Sequence, residues 1–108
     1  RAGQCVKCVE LTETIYKDTD SGLSTRLKKV VTGPILSIGK DEITILAEQV
    51  EMDRQVCEAG IWRPDNAACM GPGVEQGERF VFRPFSRATD SPVSRTVFRR
   101  YVERCQKK

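Results

Sequence analysis

Five cysteines and no histidine set the chemistry open to this 108-residue chain. Cys5 and Cys8 stand two residues apart in "RAGQCVKC", and Cys57, Cys69 and Cys105 follow at long intervals. Such a set can serve redox exchange, zinc binding or a disulfide framework. Redox exchange needs the pair between a strand and a helix start, where the helix dipole lowers a thiol pKa. Here "CVKC" runs into Val- and Thr-rich sequence with strand character. Structural zinc prefers two close pairs of ligands, whereas eleven residues separate Cys57 from Cys69 and no histidine can substitute. The favoured reading is a disulfide framework drawn from Cys5, Cys8, Cys57, Cys69 and Cys105. It places two bonds and one leftover thiol in an oxidising compartment, secreted or periplasmic. Cys5 and Cys8, at i and i+3 of one strand, are poorly placed to bond each other. No metal or cofactor is expected.

Catalysis finds little support. Without histidine, a general base at neutral pH would have to be a perturbed carboxylate, lysine or cysteine. The chain has no G-x-S-x-G, no Walker loop and no paired-carboxylate motif. Gly71-Pro72-Gly73 reads as a turn, since no lysine follows it and no helix opens there. The expectation is a protein that is not an enzyme.

Length bounds the chain to a single domain, residues 1–108, with a modest core. Hydrophobic content of 39% and charged content of 31% fit a folded domain. No apolar run approaches the roughly 20 residues that span a bilayer. The net charge of +3 is unevenly placed: residues 1–82 hold 10 Lys/Arg and 13 Asp/Glu. Beyond them, Arg83, Arg87, Arg95, Arg99, Arg100, Arg104, Lys107 and Lys108 stand against only Asp90 and Glu103. That asymmetry points to an acidic partner or to a solvated basic face.

The elements that must position these residues are mostly strands. "QCVKCVELTETIY" places Val9, Leu11 and Ile15 at even spacing, a strand with one buried face. "KDTDSG" reads as a turn. "LSTRLKKVVT" predicts a second strand that Gly33-Pro34 interrupts, and "ILSIGKDEITIL" a hairpin turning at Gly39-Lys40-Asp41. Ile43, Leu46, Ala47 and Val50 also fit a helix, but the β-branched residues favour a strand to about Glu48, with "EQVEMDRQVCEAG" continuing it past a bulge or forming a helical turn. "GIWRPDNAACMGPG" reads as loop. "GERFVFRPF" is a short strand with Phe80 and Phe82 on one face, limited by Pro84. The last segment, "SPVSRTVFRRYVERCQKK", predicts an amphipathic helix. Ser91 would be its N-cap and Pro92 its first residue. Val93, Val97, Phe98, Tyr101, Val102 and Cys105 would form its apolar face, with the arginines turned away. The fold expected is therefore mainly β, a small OB-like or other β-barrel, with one C-terminal amphipathic helix.

The cysteine pair "CVKC", the stretch "CMGPGVEQGERFVF" and the ending "FRRYVERC" together resemble the netrin-like module. That OB-type barrel is shared by netrins, procollagen proteinase enhancers and tissue inhibitors of metalloproteinases. The resemblance spans the chain in outline and implies a secreted, disulfide-bonded, protein-binding barrel. Such modules usually carry six cysteines, one more than this chain.

The leading functional expectation is a secreted or periplasmic module that binds another protein. A basic helix face of Arg95, Arg99, Arg100, Arg104 and Lys108 would contact an anionic component such as a glycosaminoglycan. Trp62, in its Gly/Pro-bounded loop, is the candidate protein contact, because aromatic and arginine side chains are the usual interface anchors. An alternative is an OB-type single-stranded nucleic-acid binder using Phe80, Phe82 and Phe85 beside Arg79, Arg83 and Arg87. A third reading is a structural subunit of a larger extracellular or envelope assembly, paired through the odd cysteine or an edge strand.

Overall fold

The computed structural model describes residues 2–17, 22–64 and 73–105. Eight strands account for its regular structure: β1 Cys5–Tyr16, β2 Ser24–Ile38, β3 Ile43–Leu46, β4 Gln49–Glu58, β5 Ile61–Pro64, β6 Arg79–Phe82, β7 Phe85–Asp90 and β8 Ser94–Arg104. They follow the order β5-β4-β2-β1-β8-β7, all antiparallel, with β3 and β6 attached at the far end of β2. The long axis of the molecule is 49 Å against 27 Å in the other two directions.

β1 is the spine. It pairs with β2 from Cys5↔Pro34 to Ile15↔Ser24 and with β8 from Val6↔Arg104 to Tyr16↔Ser94, without a register shift. β2 changes partner along its length. Residues Ser24–Thr32 pair with β4, whereas Ile35–Ile38 pair with β3. The corner between them is Gly33, because a Cβ there would lie 1.6 Å from the Leu46 carbonyl oxygen. Only glycine lets the β3–β4 crossover approach so closely. The Glu48 N–H then donates to the Thr32 carbonyl at 2.9 Å and starts β4.

This bend folds the small sheet of β2, β3 and β6 over one end of the large one. Between them lies the core: Val6, Cys8 and Val31 from the large sheet against Ile35, Ile45, Ala47, Val74 and Phe82. Ile43, Val50 and Phe80 pack at its margin.

Several expectations are corrected. The sheet is not closed into a barrel, and no residue described is helical. The segment predicted as the C-terminal helix is strand β8. It lies between β1 and β7, and its Thr96, Val97, Phe98, Tyr101 and Val102 suit a pleated surface. The Ser91 signal was real but served another end. Its Oγ accepts from the N–H groups of Val93 (3.3 Å) and Ser94 (3.1 Å), bending the β7–β8 connection into a turn. On β1, Val6 and Cys8 are buried beneath the small sheet; of the apolar face expected, Val9 is buried too, whereas Leu11 is half-buried and Ile15 is 52% exposed. Gly33-Pro34 bends β2 instead of ending it. The segment 43–58 forms two strands in different sheets, and Ile61–Pro64 is a strand where loop was expected. The hairpin at Gly39 stands as read, with the Gly39 N–H donating to the Glu42 carbonyl at 2.7 Å. Cys69, Lys108, residues 18–21 of the "KDTDSG" turn and most of the loop after Pro64 lie outside the described residues.

Candidate functional site

Because the large sheet has an unbroken register, each side chain can be assigned to a face by pairing alone. The face that carries Val6 and Cys8 also carries Lys29, Arg54, Arg63, Arg87, Arg100 and Arg104, with only Glu10 and Glu58 as carboxylates. The opposite face is balanced. Lys7, Arg26, Lys28, Arg95 and Arg99 share it with Glu13, Glu51, Asp53, Asp90 and Glu103. Among these paired strand residues, the excess of positive charge is thus sorted to one side of the sheet.

The small sheet covers only one end of the cationic face. Past the core, the first row is Met52, Lys29, Glu10, Arg100 and Phe85. Glu10 Oε2 lies 3.4 Å from Arg100 Nη2 and 3.7 Å from Lys29 Nζ. The Arg100 guanidinium also rests 4.6 Å from the Phe82 ring centroid and 5.1 Å from that of Phe85. Arg100 therefore closes the edge of the core and is already occupied.

The next two rows are uncovered. One runs Arg54, Leu27, Thr12, Phe98, Arg87, and the other Arg63, Val56, Thr25, Thr14, Thr96, Thr89. Five threonines with Leu27, Val56 and Phe98 make the floor, and Arg54, Arg63 and Arg87 stand at its two margins. Thr14 Oγ1 and Thr96 Oγ1 are 3.2 Å apart, a cross-strand hydroxyl pair. With strands spaced by about 4.8 Å, four steps put roughly 19 Å between the backbones that carry Arg87 and Arg54. The one carboxylate nearby, Glu58, lies 3.9 Å from Arg63. Arg87 caps two aromatic rings, at 5.5 Å from Phe85 and 5.0 Å from Phe98.

No protein-family model, curated protein or solved structure matches the chain.

The opposite face holds a trough. Two cavities of about 380 and 280 Å³ meet at Lys28 and Asp53, over a floor of Val9, Val30 and Leu11. Lys7, Glu51, Glu103, Glu13 and Arg26 stand along the sides. At the end of β7, the hydrogen bond from Lys17 Nζ holds the Asp90 carboxyl below its usual range, with help from the nearby Arg95 charge.

The residues singled out in the sequence are dispersed by this arrangement. Arg95 and Arg99 lie on the balanced face, and Arg100 and Arg104 on the cationic one, so the four form no single patch. Trp62 is on edge strand β5, 39% exposed, with the Arg26 guanidinium 3.9 Å from its ring centroid. Of the phenylalanines proposed to stack bases, Phe82 is fully buried and Phe80 half-buried, which leaves only Phe85 exposed. The cysteines give one disulfide among the described residues, Cys5–Cys105, with Cys8 and Cys57 as buried thiols. The N-terminal pair therefore splits: Cys5 is an anchor and Cys8 a core residue. Burial pushes the Cys8 thiol up to about 12. Among the described residues no group of acidic, cysteine or histidine side chains could hold a metal ion, and no helix is long and apolar enough to cross a membrane. Sequence reading missed Arg54, Arg63 and the threonine floor. The only local sign of it was the alternation of Thr12 and Thr14 in β1.

Proposed function

We propose that the chain is a non-enzymatic binding module of an oxidising compartment, and that its threonine-floored, arginine-margined face holds a sulfated polysaccharide. The observation that carries this is the sorting of charge, six cations against two carboxylates on one face and five against five on the other. Arginine forks suit sulfate oxygens, and threonine hydroxyls can both donate to and accept from sugar hydroxyls. The Cys5–Cys105 disulfide supports an extracellular or periplasmic setting.

A specific feature favours polysaccharide over single-stranded nucleic acid. Base stacking needs an open aromatic face, but the Arg87 and Arg100 guanidinium groups already stack against the Phe85 ring, and Arg87 against the half-buried Phe98.

The test is binding to heparin across a salt series, with a single-stranded oligonucleotide as comparison. Removing Arg54, Arg63 and Arg87 together (each →Ala) should weaken heparin binding about tenfold or more and flatten the salt dependence by up to roughly three counterions. The double variant Arg95→Ala, Arg99→Ala on the other face should retain most of the affinity. Equal losses in both variants would reduce binding to net charge and remove the face assignment. Tighter binding to the oligonucleotide, with quenching of Trp62, would favour the nucleic-acid reading.

A further inference from the structure

Strand β7 is an edge of the large sheet among the described strands. It bonds only to β8 among the described strands, all six of its residues are exposed, and its register is regular from Phe85↔Arg100 to Asp90↔Arg95. It contains no proline, no bulge and no lysine, three of the devices that normally blunt an edge, and its charges are a single Arg87 and a single Asp90. Pro84 and Pro92 lie outside it and bound its length.

We propose that β7 is the seam of a symmetric homodimer, pairing antiparallel with β7 of a second copy so that Ala88 lies opposite Ala88. Symmetry and charge select this register. A twofold axis normal to the sheet keeps each face on its own side, so one residue of β7 must meet its own copy. Of the six possible centres, only Arg87 and Ala88 align five residues of the strand. Centring on Arg87 sets two guanidinium groups directly opposite, which is unfavourable. Centring on Ala88 sets two methyl groups at the axis. Arg87 of each copy then lies opposite Thr89 of the other, and Ser86 opposite Asp90, so that no like charges meet. The two cationic faces become one continuous surface, with Arg87 near its middle. The dimer stands independently of what that surface binds.

The register makes the test specific. Sedimentation of the intact chain over a wide micromolar range should show a concentration-dependent dimer. Thr89→Glu places a carboxylate opposite Arg87 twice per dimer and should tighten it about fivefold, whereas Thr89→Arg should loosen it by a similar factor. Ala88→Glu sets two carboxylates together at the axis and should also loosen it. Both positions are exposed, so thermal melts should show all three variants folded. A monomer at every concentration overturns the proposal. So does a dimer that all three variants leave unchanged, or one on which Thr89→Glu and Thr89→Arg act in the same direction.

Discussion

At the scale of single residues, Cys8 shows how a cysteine can be misread from its neighbours. "CVKC" suggests a functional pair, yet strand geometry turns Cys5 and Cys8 to opposite faces. Cys5 meets Cys105, and Cys8, 1% exposed, packs with Val31 and Phe82 as a small apolar side chain. Its thiol should resist alkylation in the native protein at pH 8 and react only on unfolding. The pH dependence follows from burial, which raises the pKa from 9.0 to about 12. Below pH 9 both states are protonated and the contribution of the neutral thiol is complete. Above it the unfolded chain loses the proton first, so stability falls as pH rises from 9 toward 12. Cys8→Ala should flatten that alkaline decline while costing about 1–2 kcal/mol in packing. An unchanged alkaline slope in denaturant titrations would show that another group carries it.

At the scale of elements, the strands whose two faces differ most were the ones visible in the sequence. The Gly39 hairpin and the Phe80/Phe82 strand each keep an apolar face against the core, and both were legible. β8 was not. Its two faces read Ser94, Thr96, Phe98, Arg100, Val102, Arg104 and Arg95, Val97, Arg99, Tyr101, Glu103, each a mixture. The small sheet covers only one end of the molecule, so neither face needs to be wholly apolar and period-two alternation vanishes. What remained was a chance helical spacing and a serine placed as an N-cap would be. β7 was hidden for the same reason, since every one of its residues is exposed. Gly33 could be read as a break but not as a corner, because the atom that demands glycine belongs to Leu46, distant in sequence. Gly33→Ala should therefore cost about 2–3 kcal/mol or more, lowering the melting temperature by roughly 10–20 °C. Gly39→Ala, which meets chiefly the flexible Glu42 side chain at 3.1 Å, is the control and should change stability little. Equal melting points for the two variants would show that the crossover can move aside.

At the scale of the whole molecule, the candidate face exists only once six strands are aligned. Arg54, Thr25, Thr12 and Arg87 come from β4, β2, β1 and β7, and nothing in their spacing along the chain announces a common surface. The sequence-level charge asymmetry was genuine, but it described the last quarter of the chain, and a strand divides that quarter between two faces. Composition could thus suggest an anionic partner without showing that the arginines of that quarter lie on two different faces.

The same large-scale order fixes how the molecule answers to a pull. Cys5 and Cys105 lie 5.6 Å apart at their Cα atoms, at the same end of the two neighbouring strands β1 and β8. Tension entering along the chain ahead of Cys5 leaves through the disulfide to Cys105 and never loads the hydrogen bonds of the sheet. In a single-molecule stretching experiment the oxidised protein should act as a short inextensible link. Once the bond is reduced, the same force would unzip β1 from β8, bond by bond from that end, and release the enclosed 100 residues of separation, a gain of roughly 350 Å in contour length. An oxidised molecule that lengthens by that amount would show that the bond is not closed. Reduction alone would then turn a rigid connector into an extensible one.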